Sequence, residues 1–245
     1  MACDGVSEMR SNAIGELNEQ PLHAALKNVY AGDTGLQEVR VRGFIVDVFR
    51  DGECIEIQTG NFSGIREKLS KLVRTNHLRL VFPIVIEKWL LKLPRRPGDK
   101  AERRKSPKKE TLYHLFNEFV AFPELILNTN FSLECVEVVA EEVRKYTSGK
   151  AWRTHGWVPV ERRLLDVCHT RPFPNAQALE TLLPRDLPGQ FTTADLASMA
   201  GIPKWLSQKT VYCYRKMRSI QVVGKQGRFN LYRRSRQQSG NGILG

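Results

Sequence analysis

The stretch Ile45-Val46-Asp47-Val48-Phe49-Arg50-Asp51-Gly52-Glu53-Cys54-Ile55-Glu56-Ile57-Gln58 decides how this chain folds. Asp51-Gly52 between two runs rich in β-branched residues is the signature of a hairpin closed by a two-residue type I′ turn. The turn sets the register, with Arg50 opposite Glu53, Val48 opposite Ile55 and Asp47 opposite Glu56. Alternation then puts Asp47, Glu56 and Gln58 on one face, and Val46, Val48, Ile55 and Ile57 on the other. Opposed Cβ atoms lie roughly 4.5–5.5 Å apart, where like charges repel. Two facing carboxylates on an otherwise apolar hairpin call for a cation. Arg42, Arg50 or Lys68 would serve as a salt bridge. So would Mg²⁺, which is commonly held by one or two carboxylates with waters and substrate phosphates completing its shell.

The flanking pattern builds a domain around this hairpin. A helix is expected over 18–31, with Leu22, Ala25, Leu26 and Tyr30 as its apolar stripe. Glu19, His23 and Lys27 align on its polar side at intervals of four. A strand over 38–42 precedes the hairpin and a helix over 62–75 follows, with Ile65, Leu69, Leu72 and Val73 inward and Lys68 beside them. The apolar run at 78–87 reads as a buried parallel strand. Helix, strand, hairpin, helix and strand in that order predict a compact α/β unit, a mixed sheet flanked by helices. A helix over 111–127 and a strand over 131–140 resume it, giving a domain at 15–145. Residues 146–159, with Trp152 and Trp157, read as a connector, and 1–14 and 237–245 as flexible tails.

Residues 160–236 predict a winged helix-turn-helix domain. Helices are expected over 160–169, 176–183, 192–200 and 204–219, the third opened by a Thr192/Asp195 capping box. A tight Gly201-Ile202-Pro203 turn and a hairpin with a basic tip complete the pattern. In the 204–219 helix Leu206, Thr210, Cys213 and Met217 turn inward. Lys204, Gln208, Lys209, Tyr212 and Arg215 are left for a major groove, and Lys225 and Arg228 for the wing.

Charge supports a polyanionic partner. The 245 residues carry a net +12, and from Leu196 to the end there are ten Lys/Arg and no Asp or Glu. A loop at 95–109, including Arg103, Arg104 and Lys105, has eight basic and two acidic residues. Clustered positive charge on a balanced body points to nucleic acid, with DNA favoured over RNA. Five scattered cysteines without CxxC or Cys/His spacing point away from zinc and toward a reducing cytoplasm. The first ten residues lack a signal-type apolar core, and the apolar run 80–86 is too short to span a membrane. The five histidines lie apart, and no GxSxG or phosphate-cradling Gly-rich loop occurs.

Residues 19–87 resemble the PD-(D/E)xK nuclease superfamily, the restriction-endonuclease-like fold. Glu19 matches the acid of its first helix, Asp47 the acid of its second strand, and Glu56-Ile57-Gln58 its (Asp/Glu)-x-Lys element. The string from Ile55 to Phe62 also resembles that of uncharacterised bacterial proteins that join such a core to a C-terminal winged helix. The resemblance implies a Mg²⁺- or Mn²⁺-dependent DNA endonuclease, with Glu19, Asp47, Glu56 and the Ile57 carbonyl as metal ligands. Gln58 stands where the superfamily has lysine, and some members carry that lysine on the following helix. Lys68 is the candidate substitute, with Lys27 the second choice. A double-strand cut would call for two active sites and hence a homodimer. Three other readings stay open: a winged-helix regulator whose nuclease-like core is silent, an adaptor within a larger DNA-processing or defence complex, and an RNA-directed nuclease, since phosphate contacts alone do not separate DNA from RNA.

Overall fold

The structure, a computed structural model, describes residues 21–235. Glu19 and the two expected tails therefore lie outside the described residues. The chain forms an α/β fold around a mixed seven-stranded sheet, followed by helices and a C-terminal two-stranded hairpin. Helix α1 (Pro21–Ala31) leads into β1 (Leu36–Val41), β2 (Phe44–Arg50) and β3 (Glu53–Ile57), an antiparallel meander. Helix α2 (Arg66–Leu72) crosses to β4 (His77–Lys92), which runs parallel to β3. Strand β5 (Glu102–Lys105) pairs with the end of β4; α3 (Leu115–Phe119) leads to β6 (Phe131–Tyr146), parallel to β4, and β7 (Trp157–Phe173) returns antiparallel to β6.

Each face of the sheet has its own core. On one, Leu22, Leu26 and Tyr30 of α1 cover Val48, Ile55, Ile57, Val81, Val136 and Val138, and Leu164 and Val167 of β7 close the cluster. On the other, Leu69 and Leu72 of α2 and Phe116 and Phe119 of α3 pack with Phe62, Phe82 and Phe122, whose rings meet at centroid distances of 5.2–5.8 Å. This second core continues without a break into the C-terminal helices α4 (Ala176–Glu180), α5 (Thr193–Met199) and α6 (Lys204–Lys216). Tyr214 of α6 lies 5.1 Å from Phe116 ring to ring and donates its hydroxyl to the Leu179 carbonyl at 2.6 Å.

Pro83 sits inside β4, where proline would ordinarily break a ladder. The main chain of Val81 faces Gln58, just past β3, and Val85 four residues later faces Glu110. Pro83 shares that edge and falls in the gap between β3 and β5, so no partner is denied a donor.

Three expected elements differ. Residues 160–169 are strand, not helix. Three register shifts in the β6/β7 ladder leave Val160, Leu165 and Cys168 as extra residues on β7. Each bulge shifts the two-residue alternation by one, and the apolar spacing then imitates a helix. The expected connector is likewise partly strand, since β6 runs on to Tyr146 and β7 starts at Trp157. The single helix expected over 111–127 is broken into α3 and two 3₁₀ turns, because Phe122 leaves the helical region (φ −154°, ψ 54°) ahead of Pro123.

Candidate functional site

The Asp51-Gly52 turn has φ of +52° and +80°, the backbone a type I′ hairpin requires. The register follows: Arg50 pairs with Glu53, Phe49 with Cys54 and Val48 with Ile55. Beyond that point the two strands part. Asp47 Oδ2 accepts the Ile57 N–H at 2.8 Å, so a side chain takes the place of the next main-chain acceptor. Across on β1, Glu38 falls between the Gln37–Val48 and Val39–Val46 pairs and adopts a left-handed φ of +54°. Alternation breaks there as well, and Val46 packs with Cys54 rather than with Val48, Ile55 and Ile57 as regular pleating predicts.

Around this opening four side chains and one carbonyl converge. His23 of α1 places Nε2 2.8 Å from the Ile57 carbonyl oxygen and 3.3 Å from Asp47 Oδ2. From the other face of the sheet, Lys68 of α2 brings Nζ to 2.6 Å from the buried Glu56 carboxylate. Gln58 does not point into the group; its amide donates to the carbonyls of Gly60 and Asn61. Lys27 is buried and pairs with Glu38 at 2.8 Å.

The two acids are held in opposite states. Burial opposes charge on Asp47, yet the His23 contact, the Ile57 N–H and the Lys68 charge hold its carboxyl below the usual range. Burial and then the charge of Asp47 push Glu56 up to about 7, against the pull of Lys68. Burial and the neighbouring Asp47 charge thus separate the two acids, with Asp47 favouring its ionised form and Glu56 its protonated form.

Asp47, Glu56 and the Ile57 carbonyl are oxygen donors of the kind a hard divalent cation takes. His23 Nε2 is within hydrogen-bond distance of the Ile57 oxygen and of Asp47 Oδ2. Both Glu56 oxygens are within 2.6 Å of the Lys68 ammonium, so the buried carboxylate is already engaged by that cation. Among the described residues no three His, Cys, Asp or Glu side chains gather as a metal cluster. His23 is the site residue that the hairpin pattern does not reveal. Its only signal in the sequence is its place four residues before Lys27 on the polar side of α1.

The expected DNA-contacting residues fall into two groups. Lys204, Gln208, Tyr212 and Arg215 are exposed along one face of α6, beside an exposed Trp205. Strands β8 (Ile220–Gln226) and β9 (Phe229–Arg234) carry Lys225 and Arg228 on their exposed turn, and Lys204 lies 5.3 Å over the Phe229 ring, next to α6. Lys209 is drawn away from that face: its ammonium donates to the main chain and side chain of Asn117. On β5, Arg103 bonds Glu141 at 2.7 Å and stacks over Trp89, Lys105 pairs with Glu87, and Arg104 is exposed. A cleft of about 290 Å³ opens beside the candidate centre, lined by Leu22, Thr59, Glu142, Pro159, Glu161 and Arg162. No described helix is long and apolar enough to cross a membrane.

A protein of Treponema pallidum (strain Nichols), described as uncharacterized, is 29% identical over 230 residues, covering 90% of this chain and 87% of that protein. No solved structure matches the chain. Residues 20–173, from the start of α1 to the last residue of β7, match a family described as a domain of unknown function, and the comparisons identify no nuclease family. The candidate centre lies wholly inside the matched segment, and the chain belongs to this family, DUF8091.

Proposed function

We propose that the protein is a metal-dependent DNA endonuclease whose centre lies where β2 and β3 part. The observation that carries this reading is the arrival of Lys68 at Glu56 beside Asp47 and the Ile57 carbonyl. The residue in the usual lysine position, Gln58, turns away, and a lysine from the next helix takes up the place. Asp47, Glu56, the Ile57 carbonyl and His23 would hold Mg²⁺ or Mn²⁺, with Glu19 an expected further ligand. A divalent cation bound there would make a bound water acidic and offset charge on the scissile phosphate. Lys68 is placed to balance the negative charge that builds as the phosphodiester is attacked. The Ile57 N–H keeps Asp47 oriented and ionised, and α1 supplies His23 from the opposite side.

Delivery to DNA is assigned to the C-terminal segment, read as a winged helix. Support comes from α5 and α6 meeting across a tight turn, from the β8/β9 hairpin, and from the bridge of Phe191 to Tyr232, which adds a third short strand. The exposed α6 face and the cations of the β8/β9 turn then meet phosphates and base edges.

The test is cleavage of supercoiled plasmid, branched DNA and single-stranded DNA with Mg²⁺ or Mn²⁺, with an EDTA control and Asp47→Ala alongside. Metal-dependent nicking that disappears in the variant supports the reading. Binding without cutting on every substrate and with both metals would sink it in favour of a DNA-binding regulator with a silent core.

A further inference from the structure

The far end of the sheet carries an exposed aromatic on a cationic platform. Strands β6 and β7 project as a long hairpin closed by residues 147–156. At its tip Trp152 is 80% exposed, the most exposed large apolar side chain among the described residues. The Arg153 guanidinium lies 5.2 Å over its ring, and most of the indole stays open to solvent.

The tip is a built structure. Ala151 and His155, on either side of the short turn at 152–154, both adopt a left-handed φ of +51°. A left-handed backbone at non-glycine residues is strained and is held only where the surroundings impose it. Those surroundings are visible. Thr154 Oγ1 donates to the Trp157 carbonyl at 2.7 Å, and Thr147 donates its N–H to the Gly156 carbonyl at 2.8 Å. Gly156 (φ +84°) lies so close to Tyr146 that a Cβ would stand 2.5 Å from its ring.

Charge surrounds this aromatic tip. The loop after β4 lies against it: the Leu93 N–H bonds the Arg144 carbonyl, and Arg95 stacks 3.5 Å over the Tyr146 ring. Residues 92–100 and 144–157 together hold eight Lys/Arg and one Asp. Lys92 and Arg144 are tied to Glu102 and Glu142, but Arg96, Lys100, Lys145, Lys150 and Arg153 are exposed. Gathering like charges around a strained, solvent-facing Trp destabilises the isolated protein unless an anion meets them.

We propose that this tip is a second nucleic-acid contact, in which Trp152 stacks on an unpaired base and the five exposed cations track the backbone. Aromatic side chains in a positive groove are how proteins hold single strands without sequence preference. The spacing suits such a role. Ile57 of the candidate centre is level with Val81 of β4, and Lys92 is eleven residues further along the strand. At about 3.3 Å per residue the tip reaches up to roughly 35 Å beyond the centre. That span corresponds to about ten nucleotides at 3.4 Å each. The tip would hold substrate that has left the centre, or strands opened there.

The inference is independent of whether the centre cuts, so binding is measured in EDTA. The probes are fluorescently labelled 20-nucleotide single strands and the matching duplex, read by anisotropy. Trp152→Ala is expected to weaken single-strand binding about tenfold, with Trp152→Phe within about threefold of wild type. Lys150→Ala/Arg153→Ala should weaken binding to both probes and flatten its dependence on salt. Circular dichroism and the melting temperature should be unchanged for Trp152→Ala. Wild-type affinity for both probes in all three variants would overturn the proposal. So would unchanged oligonucleotide binding with lost binding to phosphatidylserine vesicles, which would assign the tip to a lipid surface. Trp152-dependent binding in a protein that cleaves nothing would leave the inference standing and remove the nuclease reading alone.

Discussion

The Lys68 ammonium lies 2.6 Å from the Glu56 carboxylate, joined across twelve residues and two secondary-structure elements. Gln58, two residues from Glu56, is bonded instead to the loop carbonyls of Gly60 and Asn61. The positive charge of the site therefore comes from α2 and not from β3. Lys68→Ala should lower cleavage by about 10²–10³, the usual loss when one group facing developing charge is removed. Gln58→Ala should stay within about threefold. Single-turnover cleavage of a labelled duplex measures both, and a larger loss in Gln58→Ala than in Lys68→Ala would reverse the assignment.

The raised pKa of Glu56 has a stability consequence. Its folded value of about 7 lies above the ordinary 4.5, so the folded protein binds this proton more tightly than the unfolded chain. Stability from this group is present below about pH 4.5 and is lost as pH rises through 7. Glu56→Gln keeps the neutral shape at every pH. The melting temperature of Glu56→Gln relative to wild type should therefore increase between pH 5.5 and 8, measured in EDTA. A difference that is flat with pH would show that Glu56 ionises normally.

His23 supplies the nitrogen that faces both Asp47 and the Ile57 carbonyl. Its removal should weaken Mn²⁺ binding about tenfold by titration calorimetry, within the range seen when a group ordering a metal site is lost. Asp47→Asn should weaken it further, because it removes the charge as well as reshaping the acceptor. Equal Mn²⁺ affinity in wild type and His23→Ala would take the histidine out of the ligand set.

The C-terminal helices share a core with the sheet, and the whole should unfold as one unit. Phe116→Ala should cost about 3–5 kcal/mol by opening a cavity between α3 and α6. Tyr214→Phe should cost about 1–2 kcal/mol, because the buried Leu179 carbonyl loses its donor. Both variants should melt in a single transition by calorimetry. Two separated transitions would mean that the C-terminal segment folds on its own.

Much of the architecture is legible locally. The Asp51-Gly52 turn sets the hairpin register, and the expected Arg50–Glu53 and Val48–Ile55 pairs form, while the expected Asp47–Glu56 pair does not. The Thr192/Asp195 capping box also forms as read, with Asp195 Oδ2 accepting the Thr192 N–H at 2.7 Å. The inward stripe of α6, from Leu206 to Met217, follows from helical periodicity alone. Strand β7 was not legible. Its bulged residues carry exposed apolar side chains such as Val160 and Leu165, and only the partner strand reveals which residues are extra.

The sequence by itself determined the elements whose information is short-range: a turn that needs positive φ, caps that satisfy free N–H groups, and stripes that bury on one side. It also put both acids of the candidate centre on one hairpin, although the strands part beyond Val48 and Ile55 and the expected Asp47–Glu56 pair does not form. Tertiary structure alone decided the rest of the centre. Which lysine reaches Glu56, that His23 rather than another polar residue of α1 meets Ile57, and that Gln58 turns away all depend on how helices on opposite faces pack against one sheet. Those distances are set by the two hydrophobic cores, which join residues far apart in the chain and leave no local pattern to read.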